Sequence, residues 1–328
     1  MRGLRLILFC IAAIMSAKSS FAWGCQGHET IALIAKDRLS ASAASHVNSL
    51  LRTYQSPFRI TCTATKTGWM ATYSTWADDA RTKPAYKETG DWHFWDVPLG
   101  VDSATADQYC DDGECIVAAL KKELDILKDP QSQKSDRQEA LIFIIHLVGD
   151  AHQPLHIIDN GDRGGNCLPT EFKADGHDLI SKEKITNGEH TGSYTPNLHG
   201  IWDANIIAGM TGYSSGANDT KLKAFVKSIE TEYADQMDGF AASPENFLGW
   251  ALETHSLGQK NGFKPLEAPV TVVDNPQKLK NCLGVSSKLV KLNEVVDGDY
   301  VKQAEPVIRE QLARGGARLA SLLNSVWP

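Results

Sequence analysis

Residues 135–156 read SDRQEALIFIIHLVGDAHQPLH. The stretch opens with polar residues and becomes apolar on every side from Ala140 to Val148. A helix that is apolar all round is a buried one. His146 and Asp150 stand at its C-terminal end, four residues apart, so they share one helix face. A histidine and an aspartate one turn apart aim a nitrogen and a hard oxygen at one point, and zinc accepts both. Pro154 stops the helix, and His156 follows in the turn. Residues 197–203, NLHGIWD, repeat the spacing with His199 and Asp203.

Moving outward, helical patterning recurs along the chain. ETIALIAKDRL (29–39) has helical apolar spacing. Residues 41–51 form a second helix with Ser40 as its N-cap. Residues 61–75, rich in threonine and small residues, read as irregular. Residues 108–125 lead from a loop into a helix. Residues 160–197 are glycine-rich and polar, with a short β-hairpin around Phe172 to Ile185. Helices are expected over 222–237 and 243–257, a loop over 262–280, and a long amphipathic helix over 305–326. No internal repeat is present. The expected fold class is mainly α, in a single helical domain.

The first 22 residues, MRGLRLILFCIAAIMSAKSSFA, have the form of a secretory signal peptide. Arg2 and Arg5 precede an apolar run, and Ser20-Phe21-Ala22 is a small-x-small cleavage site. The run is too short to span a membrane comfortably, so no stable membrane association is expected. The domain boundaries are therefore 1–22 for the signal and 23–328 for the mature domain. Cleavage makes Trp23 the N-terminal residue, with a free α-amino group. The whole chain has 33 basic and 40 acidic residues, a formal net charge of −7. Three of the basic residues leave with the signal, which takes the mature charge to −10. Proteins that bind nucleic acid by overall charge are basic, so a polyanion would have to be attracted locally.

Cys10 lies in the signal. The remaining six cysteines suit disulfides in an exported protein. Cys110 and Cys115 bracket the short loop DDGE and are expected to pair. Cys25, Cys62, Cys167 and Cys282 allow three pairings, which stay open. No CxxC spacing favours cysteine ligation of zinc.

Further candidates for the same chemistry are Asp78 in TWADDA, His93 and Asp96 in DWHFWD, and His28 in WGCQGHE. WGxxGH at the mature N-terminus, WAD, WHF-x-D, HLVGDAHQPLH, GGN and NLHGIWD occur in this order. Together they resemble the motifs of the zinc-dependent single-strand-specific nucleases and 3′-nucleotidases of fungi, plants and bacteria. Zinc-dependent phospholipase C is a more distant relative of similar fold. The resemblance runs over the whole mature chain.

It implies three Zn²⁺ ions at the base of a cleft. Asp78, His93, His146 and Asp150 would hold one. His156, His199 and Asp203 would hold a second. Trp23, through its α-amino nitrogen and main-chain oxygen, would hold a third with His28 and Asp150. Three Zn²⁺ and three aspartates leave the cluster about +3, so the metals would grip phosphate. A zinc-activated hydroxide would attack phosphorus, oriented by Asp96 as the catalytic residue, and release 5′-mononucleotides. Phe94 would stack a base, which contributes roughly 1–3 kcal/mol per base, and Asn166 would contact it. A lysine that some relatives carry three residues beyond the catalytic aspartate is Leu99 here. His152 matches no ligand position, and His46, His177, His190 and His255 match no ligand motif. The implied substrates are single-stranded RNA and DNA and 3′-nucleotides, acted on by a secreted or periplasmic monomer. The alternative activity is a zinc-dependent phospholipase C. A non-catalytic zinc protein is a third reading, disfavoured because a structural site keeps no open position for water.

Overall fold

A computed structural model of the chain describes residues 23–62, 68–105, 108–110, 113–174, 177–179, 185–186, 189–190, 196–212, 219–266, 270–274, 276–279, 281–285 and 294–328. The signal segment and the Asn218 of the N-x-S/T sequence at 218–220 lie outside these residues. The architecture is mainly α, as expected. Helices α1 (Cys25–Asp37), α2 (Ala41–Leu51), α3 (Trp69–Tyr73) and α4 (Trp76–Ala80) lead through a 3₁₀ segment, Pro84–His93, to α5 (Ile116–Lys128). Then come α6 (Lys134–Asp150), α7 (Leu198–Gly200), α8 (Ile206–Thr211), α9 (Asp219–Glu232), α10 (Met237–Phe240), α11 (Phe247–Leu257) and α12 (Gly298–Val326). Among the described residues, no helix is long and apolar enough to cross a membrane.

Helix α6 is the central post. Its residues 140–150 are all buried, packed by α5 on one side and by α1, α4 and α12 on others. Helix α1 lies along α12, with Ile31 and Ile34 against Gly315 and Gly316. Ser40 caps α2 as expected, its hydroxyl accepting from the N–H of Ala43 at 3.0 Å. Three disulfides tie loops to this frame: Cys110–Cys115 as expected, and Cys25–Cys62 and Cys167–Cys282, which settle the open pairing.

Four expectations are corrected. The stretch 61–75 contains α3: Met70, Ala71 and Tyr73 are buried on it, and the Thr72 hydroxyl bonds back to the Gly68 carbonyl, so burial overrides weak propensity. The hairpin is tighter than expected, β1 (Thr170–Ala174) with β2 (His177–Leu179), and Ile185 belongs to a second pair, β3 (Ile185–Thr186) with β4 (Glu189–His190). Strand β1 also pairs in parallel with β5 (Glu294–Asp297). Helix α11 starts at Phe247, where the Asn246 side chain caps it. Helix α12 starts at Gly298 rather than at 305 and runs through Pro306. The Asp297 carboxylate accepts the N–H groups of Asp299 and Tyr300 at 3.0 and 2.9 Å, a strong N-cap that nucleates the helix ahead of its proline.

Candidate metal centre and substrate rim

The C-terminus of α6 brings His146 and Asp150 to the base of the fold with no solvent exposure. Helix α4 supplies Asp78, the end of the 3₁₀ segment His93, and α1 His28. Asp150 Oδ2 lies 2.9 Å from His93 Nδ1 and 3.0 Å from His146 Nε2, while its Oδ1 lies 3.3 Å from His28 Nε2. Asp78 Oδ1 sits 3.8 Å from His93 Nδ1 and 3.9 Å from His146 Nε2. Eight of the nine expected ligands fall into three groups able to hold a metal, the first two sharing His146: His28, His146 and Asp150; Asp78, His93 and His146; His156, His199 and Asp203. Trp23, the ninth, is fully buried at the head of α1. The following Gly24 N–H donates to the Asp203 carbonyl at 2.7 Å, which ties the backbone beside Trp23 to the third group.

Backbone carbonyls decide which ring nitrogens carry protons. A carbonyl can only accept, so the nitrogen facing it is the N–H. His146 Nδ1–H donates to Ser74 O at 2.7 Å, His156 Nδ1–H to His93 O at 2.8 Å, and His199 Nδ1–H to Gly164 O at 2.8 Å. In each neutral ring Nε2 is then a bare lone pair. The Nε2 atoms of His156 and His199 face each other at 3.1 Å, with Asp203 3.7 and 3.4 Å away. His146 Nε2 lies 2.9 Å from His93 Nδ1. Both nitrogens of His28 and the Nε2 of His93 are buried with no hydrogen-bond partner. Buried lone pairs and carboxylates converging on one point repel unless a proton or a metal cation lies between them. The donor set fits a zinc-type metal, and oriented N–H···O=C pairs are the usual support of histidine ligands.

Burial drives the same outcome for several of these rings. It pulls His28 down, and it takes His93 and His199 down to about 4, so they stay neutral. His146 and His156 go up: burial opposes, but the Asp150 carboxylate and its neighbours outweigh it. Asp150 is held well below the usual carboxylate range by His146 and His156, against burial.

The segment NLHGIWD departs from a plain α-helix. Asn197 accepts the Gly200 N–H at 2.7 Å and starts α7; residues Ile201–Asn205 then widen into a π turn before α8. Such turns concentrate at functional sites. Two glycines are there for space. A methyl on Gly149 would stand 2.6 Å from His28 Nδ1. Gly164 has φ +58°, and a side chain there would collide with the Leu155 carbonyl and push aside Gly164, whose own carbonyl oxygen orients His199.

His152 is occupied elsewhere. Its Nδ1–H donates to Val148 O at 2.7 Å, and Arg318 donates to its Nε2 at 2.9 Å. Burial and Arg318 hold it well below its ordinary value, and no lone pair is left for a metal. His255 is buried between the carbonyls of Ile157 and Val101, and His46 is exposed, stacked on Trp327. The side chains of His177 and His190 are outside the description.

Two further residues escaped the sequence reading. Arg81 pairs with Asp78 Oδ1 at 2.8 Å and keeps a side-chain exposure of 18%. Its place three residues after Asp78, in WADDAR, was a readable signal. Gln153 spans two parts of the site: its Nε2 donates to Asp203 Oδ1 and its Oε1 accepts the Leu155 N–H, both at 2.5 Å. It thereby links Asp203 to the Pro154–His156 turn, and no local pattern pointed to it.

The rim carries the other candidates. Residues 95–99 zip against 156–159: Trp95 N–H donates to His156 O at 2.8 Å, Asp159 N–H to Val97 O at 2.9 Å, and Leu99 N–H to Asp159 O at 2.8 Å. This places Asp96, half-buried, on the extended run that follows His93 and is held against His156 through Trp95. Burial, then the charge of Asp159, pushes its carboxyl up to about 7. Phe94 is half-buried, with Lys278 Nζ 5.4 Å from its ring centre. Asn166 is also half-buried, its amide donating to Arg163 O at 2.9 Å.

The family model for S1/P1 nucleases matches residues 23–328. The chain belongs to the S1/P1 nuclease family. Its relatives in that family include Nuclease S1 of Aspergillus oryzae, 26% identical over 98% of both chains, and Endonuclease 2 of Arabidopsis thaliana, 28% identical over 99% of this chain and 98% of the relative. Nuclease P1 of Penicillium citrinum is 24% identical over 93% of this chain and 97% of its own. The S1/P1 family match spans every candidate site residue, from Trp23 to Asp203.

Proposed function

We propose that this S1/P1 family member is an exported, zinc-dependent nuclease that hydrolyses single-stranded RNA and DNA to 5′-mononucleotides and also acts as a 3′-nucleotidase. The observation that carries the reading is the set of bare, carbonyl-oriented imidazole nitrogens converging on buried carboxylates. Asp78, His93, His146 and Asp150 would hold one zinc, His156, His199 and Asp203 another, and Trp23, His28 and Asp150 a third. Bound zinc supplies Lewis-acid stabilisation of phosphate charge and lowers the pKa of water to about 7.

The chain's own residues do the rest. Asp96, with its carboxyl near 7, is matched to orient water and take its proton near neutral pH. Arg81, fixed by Asp78, presents a guanidinium to the phosphate. Phe94 offers a face for an unpaired base, and Asn166 a hydrogen bond to its edge. Three disulfides support export, as does the signal-like segment that ends where the family match begins. Cleavage before Trp23 would convert a non-ligating amide into an amine; adding one residue ahead of Trp23 is expected to lower both zinc content and activity.

The test is to give the protein beginning at Trp23 single-stranded DNA, RNA, 3′-AMP and phosphatidylcholine, each with and without chelator. Chelator-sensitive release of 5′-mononucleotides is expected. Headgroup release alone would move the assignment to a phospholipase C.

A further inference from the structure

The stretches 270–274, 276–279 and 281–285 cross the glycine-rich loop that carries Asn166. They are pinned to it at two points. Asn160 uses both ends of its amide, donating to Thr271 O at 2.9 Å and accepting from Val273 N–H at 2.8 Å. The Cys167–Cys282 disulfide makes the second tie, with Leu279 packed against it and Val285. Between the two ties stands Lys278. Its ammonium lies 5.4 Å from the Phe94 ring centre and 2.9 Å from Asp91 Oδ2, and its positive charge opposes the upward push on Asp96. Its side chain is 38% exposed and that of Asp91 47%. A lysine is thus held at the open edge of the site, beside the aromatic ring, by a segment more than a hundred residues away in sequence.

We infer that Lys278 is a substrate-positioning residue that binds the phosphate flanking the nucleotide seated on Phe94, and so favours polynucleotides over substrates with only the scissile phosphate. The inference rests on the nuclease reading above. The scissile phosphate belongs to the buried cluster and Arg81; Lys278 is outside them, on the rim. An exposed lysine–aspartate pair is worth little, with a median of about 0–1 kcal/mol, so a phosphodiester monoanion of the strand readily takes the ammonium from Asp91. Position 99, where some relatives carry a lysine, is a buried leucine here (8% exposed).

The experiment compares a single-stranded decanucleotide with a dinucleoside monophosphate, which has no flanking phosphate. Zinc-loaded wild type, Lys278→Gln, Lys278→Arg and Asp91→Asn proteins are assayed across a salt series. In Lys278→Gln the decanucleotide kcat/KM is expected to fall roughly tenfold more than that of the dinucleotide, through KM, for one lost charge-assisted contact. Its log–log salt slope should shrink by about 0.7, the value for one phosphate contact on a single strand. Lys278→Arg should restore both. Asp91→Asn should hold or raise decanucleotide affinity, because it releases the ammonium. Equal losses on both substrates, an unchanged salt slope, or an Asp91→Asn protein that copies Lys278→Gln would each overturn the inference. A wild type that cleaves neither substrate would instead overturn the nuclease reading.

Discussion

The buried cluster and the rim around Phe94 are built by opposite means. No His or Asp of the cluster exceeds 7% exposure, and three of its rings are aimed by backbone carbonyls of neighbouring elements. Phe94, Asp96 and Asn166 are only half-buried and sit on extended or looping chain, with Lys278 brought in by a disulfide-tied segment. Chemistry that demands sub-ångström placement is set on packed elements, while recognition that must accommodate many bases is left on loops. Mutation should therefore divide the molecule cleanly: cluster changes remove metal and turnover together, and rim changes alter substrate handling while metal content stays.

The most severe test is Asp150→Asn, because the Asp150 carboxylate touches His28, His93 and His146 and so reaches members of two of the three groups. Activity should fall on the order of a thousandfold or more, given what such metals contribute, and bound zinc measured by elemental analysis should drop with it. Full zinc content in this variant would break the comparison. Asp96→Asn should lower kcat by roughly 10²–10⁴, the usual share of a positioned acid or base, with zinc content and melting temperature near wild type; parallel zinc loss would place Asp96 in the cluster after all. Phe94→Ala should weaken single-strand binding by about 1–3 kcal/mol per stacked base, seen in KM more than in kcat.

The smallest effect uses a carboxylate outside both regions. Glu123 on α5 is 5% exposed, and burial raises its pKa from 4.5 to about 7. Because the folded value lies above the unfolded one, the fold favours the protonated form. The stability cost is absent below pH 4.5 and grows as pH rises through 7. Glu123→Gln should therefore raise the melting temperature at pH 8, by at most about 3 kcal/mol of stability, and leave it unchanged at pH 4. A gain at both pH values would show that packing, not ionisation, sets the effect.

What could be read from sequence follows the same division. His146 with Asp150, and His199 with Asp203, announce themselves through a four-residue spacing that helix geometry turns into proximity. Arg81 offered a similar local cue three residues from Asp78. Gln153 did not, because its partner Asp203 lies fifty residues on. The parallel pairing of Thr170 with Glu294 and the Cys167–Cys282 bond left no local trace. Pro306 concealed the start of α12, since a proline reads as a helix beginning and the Asp297 cap nine residues earlier outweighs it. Short-range periodicity reports two pairs of the cluster; the place of Lys278 at the rim depends on contacts across more than a hundred residues, which no window of sequence contains.

The packing of α1 along α12 bears on biosynthesis. α1 holds His28 and follows Trp23, and its seat is made partly by residues 315 and 316. The Arg318 to His152 hydrogen bond braces the α6 junction from the same helix. A chain emerging from the ribosome or threading an export channel therefore carries most of the cluster residues long before it carries the wall that orders them. Domains generally complete as units, and here the unit closes only with the last helix. Competence to cut nucleic acid would thus arrive only once the last helix has been made and has docked on the first.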